Sequence, residues 1–443
     1  MEKGEPTVFR QKSHPYLVAG LESMAAQQDL DVLIIGAGST GLLLAQGLKK
    51  QDIKFQIFER EDPQSYQSRP REWGMTLHWG GNYIKQCLPL ELQDGLNEGI
   101  CCDPFYGNKD LTLPHYNAQT GEKLFDMPGE EPRRISRKKL RNYLSQGLDV
   151  QYGKKLSSIT RDGPLVTATF TDSTTATGTL LIGCDGANSV VRACLVGHKE
   201  AQVEDLDIQM FNVSCSFSAE TAKLQRMGHP VFKNSYHPDG FMWWQSAQDI
   251  KDPDKPETWV FQNILSWVGA PRAEDFPDQQ SKLAFWREKA QRFADPWKTV
   301  GKDLPDDLVF GIDRTTVWRP NMDWSKYELG GVVTLAGDAA HCMPPHRGQG
   351  LNNALQDAAE LVEQLGAVKD RKKTFAEAVV AYEKDMKERT LQEIPISIMQ
   401  AQMVHSYDTL MQAPFFKMGM NKYREDMAAK NEPIEVATDV KAV

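Results

Sequence analysis

The segment 335–357, LAGDAAHCMPPHRGQGLNNALQD, holds residue types that could bind a reactive ring. An apolar strand pattern ends just before Asp338, and open α/β sheets bind ligands at such strand ends. Gly348 and Gly350 would let a flat group approach the backbone closely. A helical pattern from Leu351 onward puts free backbone N–H groups beside them, and these attract electron-rich or anionic atoms. The segment therefore predicts a site for a planar, electron-accepting ring whose polyol chain Asp338 binds.

The same segment resembles the GD motif of the FAD-dependent aromatic hydroxylases, the group A flavoprotein monooxygenases typified by 4-hydroxybenzoate hydroxylase. The residues that carry the resemblance are Gly337, Asp338, Ala339, Ala340, His341, Pro344, Pro345, Gly348, Gly350 and Asn352. The resemblance implies that Asp338 binds the ribityl chain of FAD and that the helix N-terminus faces the carbonyl edge of the flavin. Together with Asp338, the cofactor contacts predicted here are Pro345, Gly348, Gly350, Leu351 and Asn352.

A second nucleotide-binding signal lies near the start of the chain. The strand pattern 31–35 runs directly into a G-x-G-x-x-G turn and a helix, and the next strand pattern ends in an acidic residue. Glycines in such a turn allow a pyrophosphate to approach, and the acid binds the adenosine ribose. The turn alone does not separate FAD from a nicotinamide cofactor. The cofactor contacts predicted here are Gly36, Gly38, Gly41, Glu59 and Arg60.

Two shorter motifs match the same family. Arg137 and Leu140 match its R-x-x-L helix, whose arginine contacts FAD, although a basic helix face in solvent is an alternative. The segment 183–192, GCDGANSVVR, matches its DG motif with a cysteine in place of alanine. By resemblance, Asp185 and Gly186 would serve both the FAD pyrophosphate and the nicotinamide. The matches occur in the family's order over most of residues 30–360.

The segment 61–80 is irregular and rich in Arg and Trp. In the resembled family this region crosses the flavin and lines the active site. Arg71 and Gly74 are accordingly predicted as FAD contacts, and Trp73, His78 and Trp79 as groups near the ring or the substrate. A surface loop with buried aromatic residues is the alternative, because aromatic side chains more often pack than react.

Residues 201–319 change to short alternating segments that contain many tryptophans, which predicts an antiparallel sheet. By resemblance, this sheet covers the substrate above the flavin. The predicted pocket lies between the sheet of residues 208–265 and the loop 343–348. Tyr236, Trp243 and Trp244 are the predicted substrate contacts. A long helix should follow from Phe375 to about residue 403, with a break at Pro395.

The predicted fold class is α/β, or α+β overall, of the 4-hydroxybenzoate hydroxylase type. A Rossmann-like FAD-binding domain is combined with an antiparallel-sheet substrate domain and C-terminal helices. The predicted divisions are a flexible N-terminal extension (1–29), a discontinuous FAD-binding domain (30–200 and 320–368), a substrate domain (201–319), and C-terminal helices with a tail (369–443).

The composition of the chain argues against several classes of binding partner. The chain has 443 residues, a net charge of −9 and no long basic run, which argues against nucleic acid. The seven scattered cysteines fit free thiols in a reducing compartment, and no metal-ligand spacing occurs. No apolar segment is long enough to span a bilayer, and no secretory signal is recognisable. We therefore expect a cytoplasmic monomer or homodimer that binds a small-molecule substrate and molecular oxygen.

The resemblance implies a monooxygenase that is reduced by NAD(P)H, activates O₂ as a flavin C4a-hydroperoxide, and hydroxylates or epoxidises a small molecule in secondary metabolism. Catalytic candidates are His78, Arg192 and Arg347, with Arg192 alternatively structural beside the DG turn. Phenol-oxidising members often carry an arginine on the first sheet strand after the DG motif. Residues 207–218 contain none, which favours a neutral indole or alkene.

Three other functions stay open at this point. A flavin-bound reductase or cyclase could use the same pocket without inserting oxygen. A flavin-dependent halogenase shares the fold, but its W-x-W-x-I-P motif is not matched by Trp243-Trp244-Gln245. A non-catalytic FAD-binding protein would have no use for the intact DG motif.

Overall fold

The computed structural model describes residues 29–68, 72–106, 112–127, 133–311 and 313–412. The predicted N-terminal extension (apart from residue 29), Arg71 and the C-terminal tail after residue 412 lie outside the described residues. No helix within these ranges is long and apolar enough to cross a membrane.

The strands of the described residues, in chain order, are β1 (Asp31–Ile35), β2 (Lys54–Phe58), β3 (Gly74–Leu77), β4 (Leu113–Asn117), β5 (Lys123–Met127), β6 (Arg133–Ser136), β7 (Val150–Gln151), β8 (Leu156–Asp162), β9 (Leu165–Phe170), β10 (Thr175–Gly178), β11 (Leu180–Gly183), β12 (Glu204–Ser216), β13 (Phe232–Tyr236), β14 (Met242–Asp249), β15 (Val260–Val268), β16 (Asp313–Val317) and β17 (Val333–Leu335).

The α-helices of the same ranges are α1 (Ser39–Lys50), α2 (Pro63–Ser68), α3 (Gly81–Cys87), α4 (Leu96–Ile100), α5 (Arg137–Leu144), α6 (Val190–Val196), α7 (Ala219–Gln225), α8 (Gln279–Ala290), α9 (Trp297–Lys302), α10 (Asp338–His341), α11 (Gly350–Lys369), α12 (Phe375–Met403) and α13 (Tyr407–Gln412). A short 3₁₀ turn, Pro345–Arg347, precedes α11.

A parallel five-stranded sheet forms the centre of the nucleotide-binding part, in the order β17-β11-β1-β2-β7. Strands β1 and β11 are almost wholly buried because helices cover the sheet, as is usual for parallel sheets. Helix α1 packs against α11, and Gly47 permits this approach, since an added Cβ would lie 2.3 Å from Val362 Cγ2. The carboxyl ends of β1, β11 and β17 therefore meet at one edge, which positions the three motifs together.

A seven-stranded mixed sheet forms the second part, in the order β16-β12-β15-β14-β13-β4-β5. Its central strands fall within residues 201–319, as the alternating pattern predicts. Strands β4 and β5 come from residues 113–127, inside the segment predicted to belong wholly to the FAD-binding domain. They join because β4 pairs in parallel with β13, a contact that no local pattern reveals.

Helix α12 starts at a capping box in which the Thr374 hydroxyl accepts from the Glu377 N–H and the Glu377 carboxylate accepts from the Thr374 N–H. The break expected at Pro395 does not occur, because the helix continues from Phe375 to Met403. Buried residues on both sides, including Ile394 and Ile396, hold it against the body of the protein. Packing here outweighs the hydrogen bond that proline cannot donate.

Candidate active site

A cavity of about 550 Å³ lies between the parallel-sheet part and the seven-stranded sheet. Its position agrees with the pocket predicted between residues 208–265 and 343–348. One wall is formed by Asp338, Cys342, Met343, Pro344, Pro345, His346, Arg347, Gly348, Gly350 and Leu351, and the facing wall by Met210, Phe232, Asn234, Tyr236, Met242, Trp244 and Ile264. Trp73, Gly74, Met75, Thr76, His78, Arg134 and Arg137 line the space from a third side.

Asp338 stands at the start of this wall with no hydrogen bond from the protein to its carboxylate among the described residues, and its side chain is exposed to the cavity. Gly337 before it has φ +63°, and a Cβ there would lie 2.5 Å from Thr40 Oγ1, so only glycine fits this turn. The turn presents one carboxylate, free to accept hydrogen bonds, at the tip of β17.

A buried ionic network holds the turn from behind. Asp357 Oδ2 accepts from the Gly337 N–H at 2.8 Å and lies 2.5 Å from His341 Nε2, while its Oδ1 accepts from Arg389 at 2.7 Å. Burial alone raises the pKa of Asp357, but His341 and Arg389 overcome this and lower it to about 2. The carboxylate is therefore ionised at neutral pH and ties α11 and α12 to the turn before Asp338.

The 3₁₀ turn before α11 ends at Gly348, whose φ of +68° is left-handed. Arg347 in this turn forms a buried ion pair with Glu393 of α12. Helix α11 then begins at Gly350, so its first N–H groups face the cavity beside Leu351, as the sequence predicts. Arg347 lines the cavity, but much of its charge is already balanced by Glu393.

The glycine-rich turn after β1 packs directly on β11. A Cβ at Gly36, where φ is +107°, would lie 2.4 Å from the Cys184 carbonyl oxygen, while a Cβ at Gly38 would meet nothing within 4 Å. Glu59 is buried at the end of β2 and accepts from the Ala37 N–H at 2.9 Å. The Gly38 backbone is thus open to a ligand, and Glu59 is held against the turn. A Cβ at Gly41, by contrast, would lie 2.0 Å from the Gly36 carbonyl oxygen, and Arg60 is exposed.

Asp185 caps helix α6: it accepts from the Ser189 hydroxyl at 2.5 Å and the Val190 N–H at 2.6 Å. Burial raises its pKa, although these hydrogen bonds oppose the shift. Gly186 beside it has φ +82° and open space around it.

The prediction of Arg192 as a catalytic group needs correction. Its guanidinium does not line the cavity, because it is buried and donates to the backbone carbonyls of Ala187, Ala201 and Ala339.

These groups fit FAD. Asp338 offers free acceptors for hydroxyl groups, and the backbones at Gly38 and Gly186 are open where a phosphate would approach. Arg137 lines the cavity, and its guanidinium has no hydrogen-bond partner among the described residues. A cation without a protein acceptor, next to a helix N-terminus, suits a phosphate or another electron-rich group.

In the loop from residue 72 to residue 80, the residues predicted to lie near the ring or the substrate do not all line the cavity. Trp73 and His78 line the cavity. Trp79 lies behind the wall and donates from Nε1 to Gln349 at 3.0 Å, so its predicted substrate contact is corrected. Asn352 is also corrected as a cofactor contact, because its amide is used by the protein. It accepts from the His78 and Gly80 N–H groups and donates to the carbonyls of Thr76 and Gly348, which joins the loop to α11.

His78 is enclosed, and burial, Arg347 and Arg134 together lower its pKa to about 4. At neutral pH its imidazole is therefore uncharged. It can donate one hydrogen bond and accept one, but it does not act as a cation.

On the sheet, alternation separates the two adjacent tryptophans. Trp244 faces the cavity, but Trp243 points to the opposite face and is fully buried against Trp286 and Phe293. The prediction of Trp243 as a substrate contact is therefore corrected. Tyr236 lines the cavity, with its hydroxyl 2.8 Å from His115 Nδ1, and its contact with a substrate stays a prediction.

Arg134 is a cavity residue that sequence reasoning missed, and the predicted cofactor contact Gly74 lies against it. Arg134 precedes the R-x-x-L helix and lines the cavity, although its basic neighbours suggest a solvent-facing run. A Cβ at Gly74 would lie 2.5 Å from Arg134 Nη2, so this glycine makes room for a guanidinium. The only signal was the strand-like alternation of residues 133–136, which turns Arg134 inward. The described residues contain no group of three His, Cys, Asp or Glu side chains that could hold a metal ion.

We expect Asp338→Ala to weaken FAD binding roughly ten- to hundredfold, because charge-assisted hydrogen bonds contribute about 1.5–3 kcal/mol. Equilibrium dialysis of the reconstituted protein, followed by flavin absorbance, measures the change. Glu388→Ala, which removes an exposed carboxylate of α12, serves as the control and should bind FAD normally. Equal retention of flavin by Asp338→Ala and wild type would contradict the assignment.

The parallel sheet and its glycine-rich turn define the class of dinucleotide-binding proteins, and the cavity beside Asp338 is lined in part by aromatic side chains. A family profile described as FAD binding domain matches residues 112–390. The chain is 36% identical over 393 residues to the FAD-dependent monooxygenase cctM of Talaromyces islandicus, covering 88% of this chain and 97% of the relative. It is 34% identical to the FAD-dependent monooxygenase phnB of Penicillium herquei, covering 88% and 94%. The chain belongs to the family of FAD-dependent monooxygenases.

Solved structures show the same fold at lower identity. The chain superimposes on Klebsiella pneumoniae HpxO complexed with FAD and uric acid with a TM-score of 0.70 and 18% identity, covering 91% of this chain and 97% of that one. A FAD-containing monooxygenase from Photorhabdus luminescens gives a TM-score of 0.69 and 21% identity, with coverage of 85% and 99%. These likenesses show the 4-hydroxybenzoate hydroxylase-like fold. The protein is an enzyme whose cofactor is FAD.

Proposed function

We propose that the protein uses NAD(P)H and O₂ to hydroxylate or epoxidise an aromatic small molecule of secondary metabolism. The observation that carries this proposal is one continuous cavity of the described residues, which extends from Asp338 and Gly350 to Trp244 and Tyr236. The groups proposed to bind the ring and the aromatic wall thus share one cavity of about 550 Å³, a size typical of small-molecule sites.

The chain's own residues would bind, orient and exclude water. The backbone at Gly348 and Gly350 allows a ring to lie close, and the N-terminus of α11 stabilises negative charge on it. Pro344 and Pro345 keep this wall rigid. FAD held here would supply the redox chemistry, carrying two electrons from the nicotinamide to O₂. Across the cavity, apolar side chains such as Trp244 keep the reacting group away from water.

Two polar groups are proposed to orient the substrate. His78 lines the cavity as a neutral imidazole, and Arg347 lines it next to Gly348. Because Glu393 pairs with Arg347, this arginine is suited to orienting the substrate rather than to binding a full negative charge. The chain offers no second complete G-x-G-x-x-G turn, so the nicotinamide would bind transiently and leave after reducing FAD.

The deciding experiment reduces the purified FAD-bound protein with NADPH or NADH without oxygen. ¹⁸O₂ is then added with a panel of phenols, indoles and polyenes. We expect reduction that one panel class accelerates and one ¹⁸O atom in its product. FAD that is reduced while no compound gains oxygen would reject the proposal and favour the reductase or cyclase alternative.

A further inference from the structure

Arg134 is a buried cation in the wall of the substrate cavity. Strand β6 pairs antiparallel with β3, which turns the side chain toward the seven-stranded sheet. The residue is 7% exposed, and its guanidinium lies 5.0 Å from the centre of the Trp244 ring. Both side chains line the cavity. A cation at this distance from an aromatic ring is attracted to it, so the Trp244 ring helps to hold the guanidinium in place.

All the protein acceptors of this guanidinium are neutral. Nε donates to Ser246 Oγ at 3.2 Å, Nη1 donates to Thr76 Oγ1 at 3.0 Å, and Nη2 donates to Gln262 Oε1. Arginine has five N–H donors, so two of them remain for another acceptor. No carboxylate of the described chain pairs with Arg134. A buried charge is costly unless an opposite charge balances it.

The other charged groups of the cavity do not neutralise Arg134. Asp313 lies on β16, two strands beyond the β15 strand that carries Gln262, which is roughly 10 Å across the sheet. Asp338 lies just after β17, in the parallel-sheet part of the protein. Arg347 and Arg314 are cavity-lining cations as well, but each is paired with a glutamate. Arg137 also lines the cavity, and it is the cation assigned above to a phosphate or another electron-rich group of FAD.

We propose that Arg134 binds an anionic oxygen, a carboxylate or phenolate, carried by the aromatic substrate whose ring packs on Trp244. This inference rests on the proposed function and names its substrate class. It replaces the neutral indole or alkene favoured by the absence of arginine in residues 207–218. The cation is present, but it comes from β6 instead of the first sheet strand after the DG motif.

The test uses 2,4-dihydroxybenzoate, its methyl ester and resorcinol as probes. Dissociation constants are measured from the change in the visible spectrum of bound FAD, without NADPH. If the carboxylate is the anion, the acid should bind roughly ten- to hundredfold more tightly than the ester, as expected for a charge-assisted hydrogen bond. If the phenolate is the anion, resorcinol should bind more tightly as the pH rises toward its ionisation.

Arg134→Met should remove this preference, and Arg134→Lys should retain part of it, both with wild-type FAD content. Arg314→Met is the matched control because Arg314 lines the same cavity but is exposed and paired with Glu274. The same preference in wild type and Arg134→Met would overturn the proposal, as would failure of both anionic forms to bind below about 10 mM. Binding is read without turnover, so a protein that forms no oxygenated product would reject the proposed function and leave this result standing.

Discussion

Replacing Asp357 with Asn is expected to lower the free energy of unfolding by about 3–5 kcal/mol, the usual result of breaking a buried ion pair on one side. The substitution keeps the shape but removes the charge that balances Arg389, whose side chain is only 9% exposed. It also removes an acceptor of the Gly337 N–H and of His341. The melting temperature should fall with it by several degrees.

The matched control is Asp385→Asn, because Asp385 lies 3.5 Å from the same guanidinium but is 52% exposed. Exposed pairs contribute about 0–1 kcal/mol, so the control should melt close to wild type. Melting is followed by circular dichroism on the apoproteins, which keeps flavin binding out of the comparison. Similar melting temperatures for the two variants would show that the network does not hold the turn.

Substitution of the two adjacent tryptophans should separate stability from turnover. Trp243→Ala is expected to cost about 3–5 kcal/mol of stability, because a fully buried ring packed on Trp286 and Phe293 leaves a cavity. It also removes the partner of Asn263 Oδ1, which the indole N–H contacts at 3.1 Å. Trp244→Ala should change stability much less, since this side chain borders an existing cavity.

Turnover should show the reverse order. Trp244→Ala removes the ring beneath Arg134 and should raise KM for an aromatic substrate roughly tenfold, as a lost aromatic contact of about 1.4 kcal/mol would. Thermal melting and steady-state kinetics on the same preparations give both quantities. A large fall in melting temperature for Trp244→Ala, or none for Trp243→Ala, would contradict this division of the two faces.

The local motifs could be read from the chain because each is one continuous segment with its own geometry. The apolar strand before Asp338, the helix that begins at Gly350 and the turn from Gly36 to Gly41 all have a short-range cause. Glycine is required where φ is positive or another backbone lies close, so the positions of the glycines in these segments predict the local backbone conformation. FAD binding and the fold class followed from these segments.

Tertiary structure decided which side chains reach the cavity. The sequence indicated a tryptophan-rich wall, but only the pairing of β14 with β13 and β15 shows that Trp244 faces the cavity and Trp243 the core. The Asn352 side chain holds residues 78 and 80, which lie more than 270 positions away along the chain. Its role therefore could not be predicted from the neighbouring sequence.

The sequence alone also does not show which charged side chains reach the cavity. Arg192 and Arg134 are both arginines next to family motifs, and the chain alone does not distinguish them. Arg192 is surrounded by backbone carbonyls and is structural, while Arg134 meets neutral side chains and the cavity. The sequence determined the cofactor and the fold because those depend on backbone shape within one segment. The substrate's charge depends on strands distant in the chain, and their packing alone brought a buried cation to the pocket.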